Sequence, residues 1–436
     1  MLIKDVFMEL RARLRSCNVF ITTGVDFNKN CNLKISIQTN CIVLNYYNDD
    51  RKRKDSVSSI ESLSDCSEDD SEITTVIPIQ EFCQIVPNSM SCLKIEKNTV
   101  SFRILTEPND GGNFYKELLS PKTVPNSLNN KNNLKINVKE NVEVKISCAN
   151  CSNIISNELI KFDRVLELPS ENLDMSEWFC HGHCHGSSSQ EIVLKPNKND
   201  FLYRLTSFVV NFDHLSGRTN KFNSKRDIYH CDRCLAWLGI KNKGTVKLYN
   251  SEVIFHIQDS NIRAISHNVS VKNIATNDFI YTIESIIKEF DLGFQYTVMC
   301  KILLECNISA SKKQYLLIWV MDKELQVLRN KGKYILNEKI ELQSSLLTKI
   351  LYKVEYSLNN EVESWLSDPS VVTTDISKNM FNFGVEQLKE MSLKVPESFR
   401  KANGFFVSYL KGTFYTDIPT GSGLTGSGLK MYLKRL

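Results

Sequence analysis

The sequence predicts an α+β fold: β-rich in its N-terminal third, stapled by cysteines in its central region, and mixed in helix and strand towards its C-terminus. Three observations carry that reading. Short apolar–polar alternations between Asn-rich turns dominate residues 18–47 and 73–105, and a two-residue period is that of half-buried strands. Two Cys-x-x-Cys pairs, Cys148/Cys151 and Cys231/Cys234, have the spacing with which a short turn presents two thiolates to one ion. Beyond residue 245, strand-like segments mix with helical periodicities.

The first residues, MLIKDVFMELRARLRSC, mix charges among apolar positions. They lack the continuous apolar stretch of a secretory signal and read as helix or strand. Strands are expected at Leu33–Thr39 and Cys41–Tyr46. Residues 48–72 then run from a basic cluster, Arg51 to Lys54, into SVSSIESLSDCSEDDSE, too poor in apolar residues to form a core. This stretch reads as a mobile insert with Ser64, Ser67 and Ser71 as phosphorylation candidates. β-type patterning resumes at Ile73 and runs through Val100–Leu105, so residues 1–106 form one expected domain. Residues 107–133, rich in Asn and containing Asp-Gly-Gly, read as a linker.

The central region spans 134–244, its first alternation, LKINVKENVEVKIS, leading as a strand into Cys148. Residues 245–411 form the C-terminal region, with strands at VKLY, EVIFHI, Phe294–Glu305, Tyr315–Met321 and Lys349–Tyr356. A helix is expected at Asn277–Phe290, with Asn277 as N-cap and Ile280, Ile283, Ile286 and Ile287 on one face. A second is expected at Phe383–Ser392. Residues 412–436, with two GSGL units, read as a flexible tail.

Charge narrows the function classes. The 54 basic and 50 acidic residues leave a formal charge of +4, too near neutral to bring nucleic acid or a membrane surface to the chain by bulk attraction. The longest strongly apolar run, Tyr315–Met321, is far short of the roughly 20 residues of a membrane span. No membrane association and no direct nucleic-acid binding are expected. Fourteen cysteines without a secretory signal point to reduced thiols and metal ligands, hence to cytoplasm and/or nucleus.

Two thiol clusters carry the chemistry. Cys148, Cys151, Cys231 and Cys234 complete the ligand set of a structural zinc site that clamps the ends of an 80-residue excursion. Inside that excursion Glu177-Trp178-Phe179-Cys180-His181-Gly182-His183-Cys184-His185 holds five potential ligands in six residues. One reading is a second metal; another is Cys180 working outward. In that case it is a nucleophile whose pKa is lowered by His181, or a soft ligand offered to a partner's zinc, with Trp178 and Phe179 anchoring the loop. A His/Cys-rich surface loop without function is the bland alternative.

Five blocks recur in a known order: Cys148-x-x-Cys151; Arg164-Val-Leu-Glu-Leu-Pro-Ser-Glu-Asn172; Glu177-Trp-Phe-Cys-His181; Cys231-Asp-Arg-Cys-Leu-Ala-Trp-Leu-Gly239; and Leu316-Leu-Ile-Trp-Val320. Together with the ending Phe399–Lys411 they resemble the HECT-like, E2-binding ubiquitin ligases over roughly residues 140–410. The resemblance implies that the C-terminal region is HECT-like and that the chain binds a ubiquitin-conjugating enzyme (E2). It also implies an E3 ubiquitin-protein ligase that transfers ubiquitin and promotes degradation of its targets.

The family is also linked to the endonuclease subunit of the pre-mRNA cleavage and polyadenylation factor. The resemblance then implies an inhibitor or chaperone whose segment from Leu168, Pro169, Ser170, Glu171 and Asn172 to Trp178, Phe179, Cys180 and His181 enters the nuclease site, Cys180 ligating its zinc. Leu173 stands where the family often has an aromatic residue, and His183, Cys184 and His185 look local to this chain. No cysteine follows Cys306, so a HECT nucleophile near the C-terminus is missing. Cys300 and Cys306, in an expected strand, read as buried packing, which leaves Cys180 with His181 as the catalytic candidate.

Overall fold

Backbone pairing, not helical periodicity, organises most of this chain: the computed structural model is β-rich with few helices. It describes residues 3–24, 26–27, 32–47, 72–109, 134–168, 197–216, 228–242, 244–267, 273–293, 300–309, 312–331 and 339–411. Most of the insert, the linker beyond residue 109 and the tail from 412 onward lie outside the described residues. The chain divides into two compact units, one drawn from Met1–Val124, Asp322–Ile350 and Met391–Leu436, the other from Pro125–Met321 and Leu351–Glu390.

In the first unit the N-terminal segment is strand, Ile3–Arg11. It turns through a 3-10 turn, Ala12–Leu14, and pairs back with Ser16–Thr23. On its other side Phe7 to Leu10 pair with Arg329 to Gln326. Ser16–Thr23 pairs in turn with Thr99–Glu107. Val6, Met8, Leu10, Val19, Ile21, Phe102 and Ile104 bury one face of this sheet against Ile42, Leu44 and Ile77. Those three come from the antiparallel strands Cys41–Tyr47 and Glu72–Pro78. Tyr47 is paired with Glu72, so residues 48–71 leave and re-enter at neighbouring points of one hairpin.

A carboxylate sits inside this sheet. Glu9 is only 1% exposed, yet its Oε1 accepts from Lys349 Nζ at 2.6 Å and Tyr409 Oη at 2.5 Å, while Oε2 accepts from Asn18 Nδ2 at 3.0 Å. Burial alone pushes the Glu9 carboxyl pKa up, but the Lys349 charge and the three hydrogen bonds outweigh it and hold the group below its ordinary value of 4.5.

The second unit holds the central region. The expected strand into Cys148 is broken: Leu134–Ile136 pairs with Ile265–His267, whereas Glu143–Cys148 pairs with Val253–Ile257. Between them Asn141 takes φ 59° and donates its N–H to the Phe162 carbonyl at 2.8 Å; asparagine tolerates that left-handed conformation. A four-stranded sheet runs Ile160–Lys161, Glu143–Cys148, Val253–Ile257, Ser260–Ile262. A six-stranded one runs Arg164–Glu167, Asp200–Arg204, Ser207–Asn211, Thr245–Tyr249, Trp237–Asn242, Ile228–His230. Phe162, Phe201, Phe208 and Phe255, with centroid distances of 4.9 to 6.0 Å, fill the core these sheets share.

Helix α1 (Ile274–Gly293) starts earlier than expected. Its cap is not Asn277 but Asn273, whose Oδ1 accepts from the Ala275 N–H at 2.9 Å; Asn277 lies in the first turn. Ile280, Ile283, Ile286 and Ile287 are buried, as their spacing requires. Helix α2 (Asn360–Ser367) was not anticipated, since eight residues carry too little periodicity; Asn359 caps it by accepting from Val362 N–H at 2.9 Å. Helix α3 (Lys378–Leu393) begins before Phe383, because Ser377 Oγ caps Met380 N–H at 3.1 Å. Gly384 packs so close to α1 that a Cβ there would lie 2.4 Å from the Phe279 ring.

The described part of Phe294–Glu305 is strand Cys300–Ser309, which pairs antiparallel with Lys312–Val320 and parallel with Val371–Asp375. Cys300 and Cys306 are buried in it, as read from the sequence. Tyr315–Met321 is part of a longer strand, Lys312–Asn330, and Lys349 onward is the end of Leu342–Glu355. Polar flanks pair as well as apolar ones, so the apolar run underestimates each strand. No helix among the described residues is long and apolar enough to cross a membrane.

Glu9→Gln removes the counter-charge of Lys349, whose side chain is 17% exposed. A loss of about 3 kcal/mol is expected, the scale for orphaning one member of a buried ion pair. Because the folded Glu9 pKa lies below 4.5, its stabilisation is complete above that pH and fades as pH falls through the folded value. Thermal unfolding of wild type and variant should therefore differ most near neutral pH and converge in acid. Equal midpoints at neutral pH would refute the role of this carboxylate.

Candidate metal centre

The two Cys-x-x-Cys segments fold into matching turns. In the first, Ser152 N–H donates to the Cys148 carbonyl at 2.9 Å and Cys148 N–H to Asn153 O at 2.8 Å. In the second, Leu235 N–H donates to the Cys231 carbonyl and Cys231 N–H to Ala236 O, both at 2.9 Å. The residue after each second cysteine is left-handed, Ser152 at φ 58° and Leu235 at φ 59°. Each turn thus closes a short hairpin, Ser147 bridging to Ile154 and His230 pairing with Trp237. The hairpin form follows from the spacing: two intervening residues let one turn aim both sulfurs to the same side.

The turns face each other. Cys148 Sγ lies 3.6 Å from Cys234 Sγ, and Cys151 Sγ lies 3.6 Å from Cys231 Sγ; all four ligand atoms fall within 4.8 Å of one another. Such separations are too long for a disulfide bond of about 2.05 Å. They match the roughly 3.8 Å edges of a tetrahedron whose metal–sulfur bonds are about 2.3 Å. Cys148 and Cys231 are buried and belong to the phenylalanine core, while Cys151 and Cys234 are half-buried. Four sulfurs would complete a tetrahedral ligand set without water, the donor set of structural sites.

Electrostatics agree with the geometry. Burial pushes the Cys148 thiol up to about 12 and raises Cys231. At Cys234 burial acts in the same sense. There the Asn150 side chain, the Ala236 N–H and the Cys151 and Cys148 thiols outweigh it and hold the group down to about 6. The cluster by itself favours one thiolate among thiols; four thiolates at these distances need a cation between them.

Neighbours steady the first turn. Ala149 N–H donates to the Glu252 carbonyl at 2.9 Å. His256 Nδ1 lies 2.5 Å from Asn261 Oδ1 and its Nε2 2.7 Å from Ser147 Oγ. An amide oxygen only accepts, so Nδ1 carries the proton and Ser147, next to Cys148, donates to Nε2. No spacing in the sequence connects these three residues; strand register alone brings them together.

Of the residues singled out from the sequence, the four cysteines are brought together. Leu168 ends the described stretch 134–168, where its N–H donates to the Tyr203 carbonyl at 2.8 Å. Pro169, Ser170, Glu171, Asn172, Trp178, Phe179, Cys180, His181, His183, Cys184 and His185 lie outside the described residues. Both points where the chain leaves and returns are fixed. Arg164–Glu167 pairs in parallel with Asp200–Arg204, and Arg164 Nε and Nη2 clamp the Asp200 carboxylate at 2.8 and 2.7 Å. Asn197 N–H donates to the same carboxylate at 2.8 Å.

The family model for HECT-like Ubiquitin-conjugating enzyme (E2)-binding proteins matches residues 9–407. The chain belongs to this family. Neither the curated proteins nor the solved structures yield a match. The match extends past the blocks that carried the resemblance, into the β-rich N-terminal third.

Gly239, the end of the Cys231 block, has a packing role. A Cβ there would lie 2.0 Å from the Lys247 carbonyl oxygen. Gly239→Ala must push apart the strands Trp237–Asn242 and Thr245–Tyr249, at a cost of about 2 kcal/mol or more. A lower thermal midpoint together with greater thiol reactivity of the Cys231 turn is expected; an unchanged midpoint would contradict this packing.

Proposed function

We propose that the chain binds a ubiquitin-conjugating enzyme and acts as an E3 ubiquitin-protein ligase that promotes degradation of its targets, in cytoplasm and/or nucleus. Its scaffold is stapled by a zinc ion held by Cys148, Cys151, Cys231 and Cys234. The family match over residues 9–407 carries the ubiquitin reading, and the convergence of four sulfurs within 4.8 Å carries the zinc. Zinc, filled with d electrons and indifferent to geometry, supplies cross-linking and no redox chemistry there.

The distribution of thiols bears on how ubiquitin would be handled. A thioester-forming cysteine needs an accessible, ionisable sulfur. Cys306 is fully buried, with its thiol pushed up to about 12, and Cys300 is buried in the same strand. Cys180, beside His181, remains the candidate nucleophile.

A second reading is favoured by the fixed ends of the segment that carries Leu168 to His181. Leu168 and Asn197, which flank that segment, are each held by a hydrogen bond. In that reading Cys180 caps the zinc of the pre-mRNA 3′-end-processing endonuclease, Trp178 and Phe179 fill an apolar slot, and inhibition needs no ubiquitin.

Ubiquitin transfer with a panel of conjugating enzymes, comparing wild type with Cys180→Ala, separates these. A reductant-sensitive adduct lost in the variant is the ligase outcome. No adduct with any enzyme, together with a stoichiometric silenced nuclease complex, would replace it with the inhibitor. The metal is tested separately: one zinc per chain is expected by elemental mass spectrometry, reduced at least tenfold in Cys231→Ser, with chelation lowering the thermal midpoint. A fully folded, metal-free chain would sink the zinc assignment.

A further inference from the structure

Each of the two 3.6 Å sulfur contacts joins one Cys-x-x-Cys turn to the other, Cys148 to Cys234 and Cys151 to Cys231. Each also joins a half-buried sulfur to a buried one: Cys151 and Cys234 are half-buried, Cys148 and Cys231 buried. The first cysteine of one turn thus meets the second of the other, twice.

That arrangement has the two parts of an oxidation site. A half-buried thiolate is open to a small oxidant, and a buried sulfur in contact with it closes on the product without a second thiol having to arrive from solution. A disulfide bond is about 2.05 Å long, so each pair has to close by about 1.5 Å from its 3.6 Å separation. The backbone need not open for this. Each turn is closed by its own main-chain bond, Ser152 N–H to Cys148 O and Leu235 N–H to Cys231 O, both at 2.9 Å, and Ala149 N–H is tied to Glu252 O at 2.9 Å. Behind the first turn, Val144 to Cys148 stay paired with Ile257 to Val253.

We propose that this cluster is a peroxide-oxidation site: hydrogen peroxide converts the pairs Cys148–Cys234 and Cys151–Cys231 into disulfides, and the zinc is released. Release depends on the zinc assignment above; the pairing depends on the sulfur geometry alone. In each pair the half-buried thiolate attacks one peroxide oxygen. The S–O bond forms, the O–O bond breaks, and hydroxide leaves, taking a proton from solvent to become water. The buried thiolate then attacks the oxidised sulfur, forming the S–S bond and expelling a second hydroxide, again as water. Two thiolates give up two electrons, one peroxide takes them, and two solvent protons complete the two waters.

After the first disulfide only two sulfurs still donate, too few for a tetrahedral set. Both bonds run from the turn after Glu143–Cys148 to the turn between Ile228–His230 and Trp237–Asn242. A covalent staple thereby takes the place of the metal.

Zinc is measured on the reduced full-length protein, which is then treated with a small excess of hydrogen peroxide, alkylated, digested with trypsin and mapped by tandem mass spectrometry. Cleavage after Lys145, Lys161, Arg226, Arg233 and Lys241 places Cys148 and Cys151 on one peptide and Cys231 and Cys234 on two others. All three peptides are expected to be tied together, with fragment ions assigning Cys148 to Cys234 and Cys151 to Cys231, and zinc content falling roughly tenfold or more. Cys92→Ser, which removes an exposed cysteine outside the cluster, is expected to lose zinc as wild type does. The oxidised, metal-free protein is expected to unfold at a higher temperature than reduced protein stripped by a chelator. Disulfides formed within Cys148/Cys151 and within Cys231/Cys234, or four alkylated sulfurs in the cluster after other cysteines have oxidised, would overturn the proposal. A reduced protein without zinc would instead remove the zinc assignment, and the same peptide map would still decide the pairing.

Discussion

Four sulfurs within 4.8 Å of one another are the constraint around which the second unit is arranged. Two turns 80 residues apart in sequence can meet only if the strands bearing them are held in one register. Glu143–Cys148 delivers the first from the four-stranded sheet, and Ile228–His230 with Trp237–Asn242 delivers the second from the six-stranded one. Cys148 and Cys231 are then both ligand candidates and core residues. An ion bound there ties the phenylalanine core to the chain connectivity, which a small β-core without such a staple achieves only by greater apolar burial.

Each unit also contains a carboxylate held by a lysine and a tyrosine: Glu9 with Lys349 and Tyr409 in the first, Asp375 with Lys247 and Tyr249 in the second. The two differ in burial. Glu9 is sealed within a sheet, where its partners compensate desolvation and bring strands from opposite ends of the sequence together. Asp375 is half-buried and lines a cleft of the second unit.

The thiols divide along the same physical line. Sulfurs in the apolar cores, Cys17, Cys83, Cys300 and Cys306, are pushed towards the neutral form or sealed from solvent. The knuckle sulfurs are brought together and polarised by N–H groups. Both thiols of the described C-terminal strands, Cys300 and Cys306, are closed to solvent.

What the sequence determined by itself is what local spacing encodes. Two Cys-x-x-Cys pairs at identical spacing specify matching turns, and isoleucines at 280, 283, 286 and 287 specify one buried helix face, because both patterns act within one or two turns of chain. Tertiary structure decided what depends on distant partners. Asn141 breaks the strand that alternation had drawn into Cys148, since the Phe162 carbonyl accepts its N–H. Asn273, and not Asn277, caps α1. Ser147, His256 and Asn261 form one hydrogen-bonded chain, and Arg204, Lys247 and Asp375 one cleft, through strand register alone. Register is set by the whole sheet's burial, and a linear pattern contains no term for it.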